Sequence, residues 1–431
     1  MGAKQAEDIY VRWAWVERSV WSARMLQTLE TGVKGGKWFS LQDKVWKWEN
    51  LAASYLRAKL NGGSAGIDGQ SLQQFTANLE QELTLLQRQV RDGSYAPLPV
   101  RRCWIPKPGS TEERPLGIPA VRDRIVQGAV RNVLEPIFEH AFAEHSYGFR
   151  PGRGCKDALR RVDHLLTQGY TWVVDVDFKS YFDTIPHDKL MERVQELISD
   201  GTMLALIEKY LRAGVMDGCK GWEASGQGTP QGAVISPLLA NLYLNPLDHL
   251  MAAKGHAMTR YADDFVVQCR TEAEAQAALE LIQRWAGENG LTVHPAKTRI
   301  VDAMQPGGFD FLGYHFERGL KWPREKSMDK LKDSIRTHTR RKQGRSMNAV
   351  IAGVNRTLRG WFAYFQQSQW NTISWVDSWV RMRLRSILRK HQGWRGRGRG
   401  LDHHRWPNAY FEQLGLYTLA QARLKHCNRS F

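Results

Sequence analysis

Three carboxylates stand in surroundings that suggest chemistry. Asp177 closes the short apolar run Thr171-Trp-Val-Val-Asp-Val-Asp177, whose β-branched residues predict a buried strand. Asp263 and Asp264 are adjacent. They lie between Ala257-Met-Thr-Arg-Tyr261 and Phe265-Val-Val-Gln-Cys269, which read as the two strands of a hairpin with acids at its tip. Neighbouring carboxylates at a hairpin tip repel unless a cation sits between them. Hard divalent cations take oxygen ligands, commonly one or two carboxylates with phosphates and water. Two such ions about 4 Å apart can activate a hydroxyl and stabilise a leaving pyrophosphate in line. An isolated Asp-Asp is ordinary turn chemistry, so the surrounding pattern has to decide. Asp175 shares a strand face with Asp177 and reads as a supporting or purely structural acid.

The elements that must position these acids follow from periodicity. The first 90 residues read as helical, with Trp46, Leu51 and Tyr55 at helical spacing. The glycine-rich loop Asn61-Gly-Gly-Ser-Ala-Gly-Ile-Asp-Gly69 interrupts them. Residues 95–120 predict strand, turn and strand: Val100–Ile105, Pro106-Lys-Pro-Gly-Ser110, then Arg114-Pro-Leu-Gly-Ile-Pro119. Helices are expected over 121–140, 158–166, 190–213, 236–250 and 272–289. A second basic loop is Ser146-Tyr-Gly-Phe-Arg-Pro-Gly-Arg-Gly154, and a second glycine-rich loop is Gly226-Gln-Gly-Thr-Pro-Gln-Gly232. Short strands are expected near 292–293 and 299–301. Val350, Val354, Leu358, Trp361 and Phe365 fall on one helix face, and a further helix is expected over 374–390. Gly393-Trp-Arg-Gly-Arg-Gly-Arg-Gly400 reads as flexible.

The 431 residues suffice for several domains and a large core. With 61 basic and 44 acidic residues the chain carries +17. That charge is concentrated: residues 1–317 hold 36 basic and 38 acidic residues, and residues 318–431 hold 25 and 6. A basic block interleaved with tryptophan and tyrosine points to a polyanion, most often a nucleic acid. A hydrophobic content of 42% excludes a disordered chain. No apolar run is long enough to span a membrane, so no membrane partner is expected. Five scattered cysteines without a C-x-x-C pair, and no export signal, suggest a reducing cytoplasm.

Taken in order, the motifs resemble the reverse transcriptases encoded by group II introns. Tyr261-Ala-Asp-Asp264 is similar to the polymerase motif of the palm hairpin, and Asp177-Phe-Lys-Ser-Tyr-Phe-Asp183 to the first palm motif. Gly228-Thr-Pro-Gln-Gly-Ala-Val-Ile-Ser-Pro-Leu238 resembles the nucleotide-site motif. Arg114–Pro119 and Tyr147–Gly152 resemble fingers motifs, and Leu291–Thr298 and Phe311–Tyr314 the last palm motifs. Gly66-Ile-Asp-Gly69 resembles the family's additional N-terminal block, and Arg359-Gly-Trp-Phe-Ala-Tyr-Phe365 its maturase region.

The resemblance implies an α/β right-hand polymerase with fingers and a palm built on an RNA-recognition-like sheet, followed by an all-α thumb or maturase domain. The implied boundaries are 1–90 for a helical extension with a template-lid loop, and 91–317 for fingers and palm. Residues 318–392 would form the helical thumb, and 393–431 a basic segment binding DNA or RNA. It implies RNA-directed DNA polymerisation with two Mg²⁺ ions, Mn²⁺ being a substitute. The catalytic and metal-binding set would be Asp177, Asp263 and Asp264, with the carbonyl of Phe178. Lys107, Arg114, Phe182, Gln231 and Lys297 would bind the nucleotide, Phe182 excluding a 2′-hydroxyl by its bulk. Gly66, Gly69, Arg150, Arg336, Arg340, Arg341, Lys342 and Arg345 would contact nucleic acid. The implied partners are an RNA template with a DNA primer, dNTPs and group II intron RNA, with splicing and mobility as the roles and the nucleoid as the site of action on DNA. No His-Asn-His nuclease pattern is present to supply the primer end. Two alternatives share these motifs: a domesticated relative in phage defence, repair or CRISPR spacer acquisition, and an RNA-binding splicing factor without polymerase activity.

Overall fold

The computed structural model describes residues 3–33, 35–106, 113–218, 221–342 and 344–427. They divide into two compact units, Met1–Val162 with Val174–Ile300, and Asp163–Val173 with Val301–Phe431.

In the first unit, β1 (Val100–Pro106) pairs antiparallel with β2 (Glu113–Ile118), from Arg101 opposite Ile118 to Pro106 opposite Glu113. The turn expected between them lies outside the described residues. The sheet of β1 is extended by β4 (Val215–Asp217), parallel to it, and β5 (Gly221–Glu223), in the order β2-β1-β4-β5. The other sheet holds β3 (Trp172–Val176), β6 (Ala257–Tyr261), β7 (Asp264–Cys269) and β8 (Arg299–Asp302), in the order β6-β7-β3-β8. Helices precede β6 and follow β7, so the chain runs β-α-β-β-α-β, the split βαβ order expected of an RNA-recognition-like palm. Phe265, Val266 and Val267 are all buried, so alternation fails along β7 because both of its faces are covered.

Helix Ser236–Ala253 packs its apolar residues beside β6, and helix Glu272–Glu288 starts where the Thr271 side chain accepts from the Glu274 N–H. The helix expected over 190–213 is two helices, His187–Leu197 and Gly201–Arg212. Asp200 divides them. Its carboxylate accepts from Met203 N–H at 3.0 Å and from Leu41 and Gln42 N–H, so side-chain capping outweighs helix continuity.

The second unit opens on a three-stranded antiparallel sheet, β9 (Phe309–Phe311), β10 (Tyr314–Glu317) and β11 (Leu320–Pro323). The region from 318 onward is therefore not wholly helical at its start. Helices Glu325–His338, Met347–Phe365 and Trp370–His391 follow. The expected apolar face is core: Val350, Val354, Leu358 and Trp361 pack with Ile373, Val376 and Val380. The same cluster takes in Phe411, Leu416 and Leu419, so no break in the core falls at 392. The segment 393–400 also departs from expectation. Gly398 N–H donates to Ser386 Oγ at 2.9 Å, and the Arg385 guanidinium reaches back to the Trp406 carbonyl at 2.8 Å. Glycine permits the close approach that lays this stretch on the helix.

Candidate active site

The hairpin tip is built by a tight turn and a buried arginine. Tyr261 pairs with Asp264, which leaves Ala262 and Asp263 as the two-residue loop, and Ala262 takes a left-handed conformation with φ of 59°. Arg260 is fully buried. Its Nε and Nη2 donate to Asp248 at 2.8 and 2.5 Å, and its Nη1 donates to Asn241 Oδ1 and to the Ala262 carbonyl, both at 2.9 Å. One guanidinium thus fastens the turn to helix Ser236–Ala253. Burial opposes its charge, but Asp248 more than compensates, so its proton is held above the ordinary arginine range.

The loop at 146–150 is laced against the same strand. Tyr147 N–H donates to the Arg260 carbonyl at 2.8 Å, and Asn241 Nδ2 donates to the Gly148 carbonyl at 2.7 Å. A Cβ on Gly148 would lie 2.3 Å from the Ala262 nitrogen. Only glycine lets this loop touch the tip.

Asp177 arrives at the end of β3. Its carbonyl accepts from His294 N–H at 2.7 Å, and Lys179 N–H donates to the Thr292 carbonyl at 2.9 Å. These two bonds flank the Phe178–Val293 pair, so the ladder there uses the neighbours of Phe178 and not its own carbonyl. The Phe178 ring is buried, 5.5 Å from that of Phe265. Lys297 Nζ donates to Asp177 Oδ2 at 2.6 Å. Asp175 instead pairs with Arg299 at 3.3 Å, consistent with a supporting role. Burial raises the pKa of Asp263 above the usual carboxylate range, the charge of Asp177 raises it further, and Arg260 offsets part of this. Asp264 is exposed at the start of β7.

A cleft of about 330 Å³ is lined by Arg102, Asp183 and the 223–231 loop, Gln231 included, and not by Asp177, Asp263 or Asp264. Thr229 N–H donates to the Phe182 carbonyl and Gly228 N–H to that of Ile185, both at 2.7 Å, which seats the loop on the turn carrying Phe182. The Phe182 ring meets Tyr181 edge-on at 5.4 Å. Gly117 N–H donates to the Gln231 carbonyl at 2.6 Å, joining this loop to β2.

A family model described as reverse transcriptase (RNA-dependent DNA polymerase) matches residues 105–316, and one described as the group II intron maturase-specific domain matches residues 328–406. Protein YkfC of Escherichia coli K12 is 37% identical over 311 residues, 63% of this chain and 81% of that one. The group II intron-encoded protein LtrA of Lactococcus lactis subsp. cremoris is 42% identical over 169 residues, 39% of this chain and 28% of LtrA. The chain belongs to the group II intron reverse transcriptase and maturase family.

Its activity class is that of an RNA-directed DNA polymerase, and its fold is the right-hand α/β polymerase followed by a maturase domain. The maturase match runs on to 406, past the expected boundary at 392, in keeping with the shared core. The structure gathers Asp177, Asp263, Phe178 and Lys297 in one region of the reverse transcriptase, and Phe182 and Gln231 in another. Arg114 is exposed on β2 and does not line the cleft, although its neighbour Pro115 does. Lys107 lies outside the described residues.

Arg150 is a correction. It is 6% exposed, ion-paired to Glu139 at 2.7 Å, and its Nη1 donates to the carbonyls of Ala143 and Ser146. Its guanidinium is spent holding the loop, which is a structural task and not the expected exposed contact. Gly66 is packed hard against Ala120, where a Cβ would lie 2.4 Å from the Ala120 Cα, whereas Gly69, at φ of +70°, faces open space. The loop is clamped by Arg101, which donates to the Ala65 carbonyl at 2.9 Å, and by Arg124, which donates to the Ser64 carbonyl. Arg336, Arg340, Arg341, Lys342 and Arg345 are exposed, Arg336 being paired with Asp333 at 2.7 Å. Sequence reasoning missed Arg260, Asn241, Asp248 and Gly148. A charged residue inside a strand otherwise apolar was the available signal for Arg260.

Proposed function

We propose that this reverse transcriptase extends a DNA primer on an RNA template with dNTPs, using Asp177 and Asp263 as its metal-binding carboxylates. The observation that carries the reading is the placement of Asp177 at the end of β3 and of Asp263 in the turn that leads into β7, the strand next to β3 in the same sheet. Burial first, and then the charge of Asp177, raise the pKa of Asp263. Repulsion of this kind is relieved by a cation. The Lys297 ammonium against Asp177 already occupies the place of one. Among the described residues no group of three or more His, Cys, Asp or Glu side chains could hold a metal. Two carboxylates completed by nucleotide phosphates and water are a normal Mg²⁺ shell.

Asp177, Asp263 and the Phe178 carbonyl would hold two Mg²⁺ or Mn²⁺ ions, with Asp264 at their periphery and not a direct third carboxylate. Bound there, the ions would supply a lowered pKa for the primer hydroxyl and neutralisation of pyrophosphate charge. Arg260 keeps the Asp263 carboxylate at a fixed height by holding the Ala262 carbonyl. Phe182 would lie under the incoming sugar, and Gln231 beside it. Lys297 shields Asp177 before substrate arrives and stands near the leaving group afterwards. Lys107 and Arg114 would balance the triphosphate. The second unit, with its basic surface, would hold group II intron RNA and assist splicing and mobility.

Asp263→Ala should abolish cDNA synthesis on poly(rA)/oligo(dT) and leave RNA affinity largely unchanged. Undiminished extension by that variant would refute the assignment.

A further inference from the structure

Helix Trp370–His391 carries Trp375, Trp379 and Arg383 at successive steps of four, on one face. The two indoles lie 5.9 Å apart at 8°, nearly parallel. Trp375 is 44% exposed, although tryptophan is a highly buried residue on average. Lys332, from helix Glu325–His338, places its ammonium 5.8 Å over the Trp375 ring, and Arg383 its guanidinium 6.0 Å over Trp379. A cavity of about 460 Å³ opens beside Trp375, and Gln369, Asn371 and Thr372 line it.

We propose that this face is a second RNA site, on which an unpaired nucleotide stacks against Trp375 with its phosphate near Lys332. The proposal rests on the reading that the second unit holds RNA, and names the place on that unit where an unpaired base would sit. An exposed indole offers a flat apolar face that any base can cover. Amide and hydroxyl side chains in the adjoining cavity offer donors and acceptors to a base edge. Positive charge crowds the Arg383 end of this face, where partial burial and the nearby charges of Arg341 and Arg336 loosen the guanidinium's hold on its proton. Lys332 is paired with Asp329 at 2.9 Å, and Glu325 also lines the cavity, so a phosphate would have to draw Lys332 from that pair. Arg383 itself donates to Thr339 Oγ1 at 3.0 Å and to the Thr339 carbonyl, so it braces the platform, and Lys332 is the cation closest to an incoming phosphate. A duplex, with its bases already stacked on one another, gains nothing from the indole.

The test is fluorescence anisotropy of the full chain with a labelled ten-nucleotide oligo(A) RNA, the matching DNA, and a ten-base-pair RNA duplex. Trp375→Ala should weaken the single-stranded RNA about tenfold, with smaller losses for the other two. Trp375→Phe should restore most of the affinity, which a merely structural role for the indole in RNA binding does not require. Lys332→Gln, independent of the tryptophan, should lower the slope of log affinity on log salt by about 0.7. Unchanged RNA affinity in both Trp375→Ala and Lys332→Gln overturns the site. An equal loss on the duplex overturns the unpaired-base reading, and an equal loss on the DNA overturns the RNA assignment.

Discussion

Gly148→Ala isolates the contact that sets the height of the hairpin tip. The added Cβ would stand 2.3 Å from the Ala262 nitrogen, 2.9 Å from the Tyr261 carbonyl carbon and 3.1 Å from the Ala262 Cα. All three are backbone atoms, so no side chain can swing aside. Ordinary contact begins near 3.4 Å, and the loop and tip must therefore part by about 1 Å. The loop cannot supply the whole movement, because Tyr147 N–H and the Gly148 carbonyl are bonded to Arg260 and Asn241. Part of the shift falls on Ala262, and Asp263 is the next residue. A misplacement of about 1 Å at a catalytic group costs about 10²-fold in rate. The assay is steady-state dNTP incorporation on poly(rA)/oligo(dT), with kcat and KM separated and a thermal melt in parallel. The expected result is a kcat about 10²-fold lower, with primer–template affinity within a few-fold of the parent and a folded chain. A folded variant with kcat within twofold of the parent would show that the loop does not set the tip, and the positional argument would fail.

Arg260→Lys keeps a charge opposite Asp248 but gives up the planar fork to Asn241 and Ala262; it should lower kcat about tenfold and cost about 1–3 kcal/mol in urea unfolding. A normal kcat would reduce Arg260 to a core ion pair. Asp123 is buried, accepts from the Tyr95 hydroxyl at 2.5 Å and from Leu98 N–H at 3.0 Å, and burial pushes its pKa up to about 6. The folded chain then holds a proton that the unfolded chain releases near 3.8, so stability falls as pH rises through 6. The whole effect is about 3 kcal/mol, of which about 1 kcal/mol falls between pH 5 and pH 7. Asp123→Asn should remove that slope, read as the difference between variant and parent across the interval; parallel pH profiles would sink the assignment. Phe182→Ala should erode discrimination against ribonucleotides by at least about tenfold, measured as the ratio of kcat/KM for dTTP and UTP, and an unmoved ratio would remove Phe182 from the sugar site.

The positions of the acids were legible from short strings, but their metal-binding role was an expectation only in the company of the ordered motifs, since a lone Asp-Asp is turn chemistry. A carboxylate ending a β-branched run and a pair at a two-residue turn are both visible without knowing what lies across from them. The hairpin and most of the long helices follow from strand and helix patterning, whereas the palm order is what the resemblance of the ordered motifs implies. The break at Asp200 was not legible, because its cause is the pair of N–H groups on Leu41 and Gln42, about 160 residues away in sequence. Nor was the seating of 393–400, since glycines interleaved with arginines look the same whether solvated or laid against a helix. The polarity of that segment hides the contact that glycine alone permits at Gly398.

Arginine shows most clearly where composition stops informing. Arg150 sits in a basic loop and is buried against Glu139; Arg260 sits inside a buried strand and holds the tip. In each case the guanidinium is consumed by one carboxylate and by backbone carbonyls, with Glu139 and the Ala143 and Ser146 carbonyls for the first, and Asp248 and the Ala262 carbonyl for the second. A planar fork of five donors suits that task better than an ammonium does. Arg101 and Arg124 repeat it on the lid loop through the Ala65 and Ser64 carbonyls. The first unit therefore spends several of its positive charges on fixing loops around the acids, and its near-zero net charge understates how much of its basic content is structural. Arg340, Arg341, Lys342 and Arg345 of the second unit are exposed, where a polyanion can reach them.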